Sequence, residues 1–354
     1  LRTERTKQIA NYLLSQPQRF FNAIVVGLYE GEPEWLPVAL GESITVKDVS
    51  LGERQTHSFG LIRLTGAEAM FAIDGQHRVE GIKEAVRAQP NLGAEEQTVI
   101  FVAHKTDMEG RQRTRRLFST LNKYAKPVSE SELIALSEDD SFAIVTRKLI
   151  DEYAGLGPEL VPLLPSTNIP TSETKCLTSV VGLYELTKIV SPIAIRRERK
   201  KYETGPSSAQ AVNTIYEASK AFWNALKLHV PPIREVCASD PAAQVASKYR
   251  NTEGGHLLFR PVGLKAFAKA ARILMDRGET TDKSVAKLSK VKLQLDAPIW
   301  MDIIWRPQTK TVLHKYVRLA QNVLLHEVGE NPDSNKYSVL IEYKRITGRD
   351  YPEP

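Results

Sequence analysis

The 354 residues carry 48 Lys and Arg against 42 Asp and Glu, a net charge of +6 and a pI near 9.1. With 42% hydrophobic and 25% charged residues the chain has an ordinary globular composition and room for two or three modest domains, and no apolar run approaches the roughly 20 residues that would cross a bilayer. The two cysteines, Cys176 and Cys237, have no metal-ligand spacing, so a disulfide scaffold and a zinc site are excluded and buried reduced thiols in a cytoplasmic protein are expected.

Taken in order, Ile9, Ala10, Leu13 and Leu14 recur at helical spacing over residues 3–15, and Pro17 closes that helix. Residues 23–29 are mostly apolar and predict a strand inside a sheet. Residues 36–39 and 58–64 read as further short strands and, with 70–73, suggest a small mixed sheet. A helix follows, marked by Val79, Ile82, Ala85 and Val86, and Asn91 to Gly93 break the chain before a strand at 98–104. A second helix is expected near 109–121, bearing Arg111, Arg113, Arg115 and Arg116, and Pro127 ends this unit.

From residue 129 the pattern turns helical, with candidates at 129–136, 140–154, 177–190, 209–227, 260–277 and 310–325. Loops rich in Pro and Gly separate them, and there is no internal repeat. The expected fold class is α+β: an α/β core with a mixed sheet over 1–127, then a mainly α-helical region over 128–354.

The chemistry concentrates where strand 70–73 gives way to a helix, in Asp74-Gly75-Gln76-His77-Arg78. The first amides of a helix lack partners within it and carry the positive end of its dipole, so such a turn receives anions. Gly75 lets a ligand approach the backbone, and Gln76 and His77 can hydrogen-bond phosphate oxygens or a base edge. Arg78 offers a planar fork suited to phosphate, or a salt bridge to Glu80 or Glu84. Asp74 can hold a metal through water, position a nucleophilic water, or cap the helix. His77 is also a potential acid or base.

The pentapeptide resembles the signature of the DGQHR-domain proteins, whose best-known branch is the DndB family of bacterial DNA phosphorothioation systems; related members occur with 7-deazaguanine DNA modification. The likeness extends to Phe118 through Asn122, Lys126 and Pro127, to Leu258 through Gly263, and to Trp300 through Pro307. It implies a core similar to that of ParB and sulfiredoxin, in which a comparable turn holds a nucleotide phosphate. It also implies that Asn122, otherwise a helix C-cap, stands beside the pentapeptide on ligand or metal, with Lys126 on phosphate, and that the partners are DNA and other proteins of a modification operon.

Two basic clusters suit DNA: the arginines of 111–116, and Arg196, Arg197, Arg199, Lys200 and Lys201 ahead of a Gly-Pro loop. A solvated basic face explains either equally well, but the second is denser and nearer a flexible tip, which makes it the preferred DNA contact. There is no Walker loop, HExxH or paired CxxC. Trp300 and Trp305 are expected in a core, and no residue is assigned as a metal ligand. The functional expectation is a nucleotide-binding, ATP-hydrolysing component of a DNA-modification system, using ATP with Mg²⁺. The alternative is a DNA-binding repressor of its own operon without nucleotide turnover, and a ParB-like nuclease ranks below both for want of clustered carboxylates. No heptad pattern speaks to oligomeric state.

Overall fold

The computed structural model describes residues 3–16, 19–37, 58–123, 129–170, 172–205, 207–240, 243–332 and 338–352. The chain divides into two compact units, Leu1–Pro127 and Val128–Pro354.

In the first unit, α1 (Thr3–Ser15) leads into β1 (Ile24–Tyr29), the middle strand of a three-stranded sheet. β4 (Ala69–Asp74) lies antiparallel on one side of it and β5 (Val99–Ala103) parallel on the other, so the sheet is mixed as expected. The strands β2 (Glu34–Pro37) and β3 (Gly60–Arg63) do not join this sheet. They pair with each other, Trp35 opposite Ile62. The helix α2 (Gln76–Ala88) packs on α1, and the two meet closely at Gly81. A Cβ there would lie 2.5 Å from Ile9 Cγ2, so the contact requires the missing side chain. α3 (Met108–Lys123) packs against β4.

The second unit is helical. Its elements are α4 (Glu130–Leu136), α5 (Ser141–Glu152), α6 (Val180–Val190), α7 (Ile193–Arg197), α8 (Arg199–Thr204), α9 (Ala209–His229), α10 (Pro231–Ala238), α11 (Pro261–Asp276), α12 (Thr281–Leu288), α13 (Val317–Glu327) and α14 (Val339–Thr347). Short polar residues set the helix starts: Ser129, Ser179, Ser208 and Thr280 each accept an amide of the first turn. Asp140 does so for α5 through Phe142 and Ala143, and its other oxygen accepts the Tyr184 hydroxyl from α6. Burial pushes the Asp140 carboxyl above its ordinary range.

Several expectations are corrected here. The helix expected over 310–325 starts only at Val317. Thr311 and Val312 instead form β7 (Thr311–Val312) against β6 (Trp305–Arg306), since the chain reverses through Lys310 at positive φ and β-branched residues favour the ladder. The basic stretch at 196–201, expected as part of a loop, lies on α7 and α8. α10, α12 and α14 were not anticipated. Cys176 is buried, but Cys237 is only half-buried, and both are free. Trp300 and Trp305 are core residues, with the Trp300 indole donating to Lys292 O at 2.7 Å. Among the described residues no helix is long and apolar enough to cross a membrane.

Candidate phosphate-binding turn

β4 is held by β1 as far as Asp74, which stands opposite Val25, with a bulge beside it at Val25/Val26. The chain then turns through Gly75, at φ 92 and ψ 17, a left-handed conformation that glycine adopts without steric cost. α2 begins at the next residue. Gly75, not Asp74, is therefore the N-cap, and no side chain caps the helix. Asp74 lies one residue too early, at the end of its strand, for its carboxylate to do so. Gly75 O accepts from Val79 N at 2.9 Å, which leaves the amides of Gln76, His77 and Arg78 without acceptors in the helix. No acidic residue sits in the first turn to offset the dipole.

Arg78, one turn into α2, reaches back across this opening. Its Nη2 donates to Asp74 Oδ2 at 2.7 Å, and its Nη1 donates to Asn22 O at 2.5 Å and Ala23 O at 3.3 Å. The salt bridge is thus to Asp74; Glu80 pairs with Lys83 instead. The guanidinium fastens the end of β4 and the start of α2 to the segment entering β1, and its role in the fold is positioning. A Cβ on Gly75 would come within 3.1 Å of Arg78 Nε and Nη2, a second reason for glycine here.

The remaining polar groups are less committed. Asp74 is half-exposed and uses only one carboxylate oxygen on Arg78. Gln76 Nε2 donates to Ala72 O at 3.2 Å from an exposed position. His77 Nδ1 is shut away from solvent yet makes no hydrogen bond, and a nitrogen so placed in a folded protein calls for an explanation. Asn122 lies inside the last turn of α3, not beyond it as a C-cap; its side chain and the whole of Lys126 lie outside the described residues.

The basic clusters differ in how far their charge is spent. Of the stretch preferred for DNA, Arg196 pairs with Asp276, Arg199 with Glu203 and Lys201 with Glu198, leaving Arg197 and Lys200 as exposed cations that meet no carboxylate among the described residues. On α3, by contrast, Arg111, Arg113, Arg115 and Arg116 are all exposed and none meets a carboxylate among the described residues. Thr114 and Leu117 point the other way, Thr114 bonding His104 at 2.6 Å, so the arginines share the outer half of the helix. Charge density alone favours the 196–201 stretch, but Glu198 and Glu203 within it and Asp276 from α11 occupy three of its cations.

Together these features define an α+β protein with an uncapped strand-to-helix turn, a helical second unit and no group of three or more metal-ligating side chains among the described residues. The family model of DndB, described as DNA-sulfur modification-associated, matches residues 1–331, and the chain belongs to that family. No curated protein and no solved structure matches. The family ties the chain to DNA phosphorothioation.

Proposed function

We propose that the chain binds the phosphates of a nucleotide, ATP with Mg²⁺, at the β4–α2 turn and hydrolyses it in the service of DNA modification. The observation that carries this reading is the uncapped start of α2, where three backbone amides open beside the unpartnered His77 Nδ1 and the fixed Arg78 guanidinium. In this reading the amides of Gln76, His77 and Arg78 hold phosphate oxygens, and Arg78 adds charge from the position that Asp74 and Asn22 impose on it. The carboxylate oxygen of Asp74 that Arg78 leaves free, or His77, orients the attacking water. Mg²⁺ bound mainly by phosphate oxygens and one carboxylate needs no cage of protein ligands. Asn122 and Lys126 complete the site as the DGQHR likeness implies.

The test is Mg²⁺-dependent ATP turnover by the wild type and by Asp74→Asn, His77→Ala and Arg78→Lys, each checked for an unchanged melting temperature. Losses of about a hundredfold or more are expected where a group acts on the transition state. Equal turnover in all four proteins would remove the turn from the chemistry.

A second reading, a repressor that binds operon DNA without turnover, is favoured by one observation, the unpaired arginines of α3. It requires promoter binding that weakens with salt, and the loss of Arg113 and Arg116 together should flatten the logarithmic salt dependence by about 0.9 for each phosphate contact removed. Unchanged slopes would discard α3 as the DNA contact.

A further inference from the structure

The second unit gathers positive charge around an open cleft. α6, α7, α8, α11 and α13 wall a cavity of about 440 Å³, into which Lys188, Arg196, Arg199, Lys269 and Arg272 converge with one carboxylate, Asp276. That volume falls in the range of roughly 300–1,000 Å³ usual for small-molecule sites.

The negative charge within reach is already spent. Asp276 accepts from both Arg196 and Arg272, and Glu203 is shared between Lys188 at 3.2 Å and Arg199 at 2.9 Å. Two carboxylates thus face five cations. Lys269 makes no hydrogen bond or ion pair among the described residues, although Glu185 is near enough to act on it through space. Burial and the neighbouring Lys265 hold its ammonium below the usual lysine range. Arg272 gives Nη1 to Val190 O at 3.2 Å, and its Nε is buried without any partner. Like charges gathered around one cleft repel one another, and an anion inside it offsets that repulsion.

We infer that this cavity binds a phosphate-bearing small molecule, with the Lys269 ammonium as the donor reserved for it. Concavity separates it from α3, whose arginines fan outward over a convex face as a duplex backbone requires. Ile189 and Ile273 line the same cavity and give an organic moiety an apolar wall. The inference does not depend on the β4–α2 turn.

The experiment reads this site directly in the unaltered chain: the rate at which Lys269 is acylated by a small amine-reactive reagent, followed by peptide mass spectrometry. Probes are inorganic phosphate, pyrophosphate, ADP and a DNA duplex, against potassium chloride at matched ionic strength. Saturating pyrophosphate or ADP should slow acylation of Lys269 by about tenfold or more, as occupancy of a charge-assisted contact demands. Lys220, on the surface of α9, should be unaffected. Protection by phosphate or pyrophosphate as well as ADP assigns the site to the phosphate group, and protection by ADP alone to a nucleotide. No protection, equal protection by chloride, or protection by the duplex alone would overturn the inference. Protection without ATP turnover would sink only the proposal for the turn, and turnover without protection only this one.

Discussion

Residues 128–354 gather Phe142, Phe222, Trp223, Phe267 and Trp300, each at or below 1% exposure, into one continuous core. Among the described residues of 1–127, only Ala10, Leu13, Ala85 and Leu92 unite in a buried cluster, and the sheet leaves Met70, Phe71, Ile100 and Phe101 exposed. The family's signature turn therefore rides on the more thinly packed unit. Functional loops are commonly drawn from the less stable end of a structure, where groups can move to meet a ligand. The helical unit fixes its groups more firmly, and its cationic cavity is correspondingly preformed.

This contrast predicts two separable unfolding transitions, and four perturbations test it in falling order of effect. Phe267→Ala should cost about 3–5 kcal/mol in the upper transition alone, measured by denaturant unfolding. If both transitions move together, the units are not energetically distinct. Next comes acid. Burial pushes the His256 imidazole down from 6.5 to about 4, so the folded form resists a proton that the unfolded chain accepts. The stability this represents is fully present above 6.5 and is lost as pH falls towards 4. Over that window the helical unit should lose about 3 kcal/mol relative to a His256→Gln variant.

Gly81→Ala should lower the other transition by about 1–3 kcal/mol, because the new Cβ would drive α1 away from α2. An unshifted midpoint would show that these helices are loosely docked. The smallest effect is expected from Glu68, ahead of β4. The amide of Thr65, with further bonds from the Thr65 hydroxyl and the amide of Gly66, pushes its carboxylate down to about 2. Its contribution is present above the ordinary value of 4.5 and is lost as pH falls through about 2. Glu68→Gln should flatten the acid side of the first unit's melting curve and leave the second unit's unchanged.

Much of the first unit was legible because its signals are local. Apolar runs marked β1, β4 and β5, helical spacing marked α1 and α2, and the mixed sheet followed from them. The hairpin of β2 and β3 was misplaced because strand pairing is a choice among partners distant in sequence. The short helices α7 and α8 were hidden by their charge, which reads as a solvated loop. At the turn, residue types marked where β4 gives way to α2, but not that Gly75 would cap the helix or that Arg78 would be tied to Asp74 and Asn22 O.

The sequence by itself determined the change from α/β to helical order, the position of the strand-to-helix turn at Asp74 to Arg78 and the family that its pentapeptide announces. Those depend on periodicity and on the chemistry of adjacent residues, which operate over a few positions of chain. Only the tertiary structure decided which cations stay available. Arg196 meets Asp276 across 80 positions, and Lys188 on α6 converges with Lys269 and Arg272 on α11. Coulombic pairing acts over a few ångströms of space, and no reading along the chain can supply that distance.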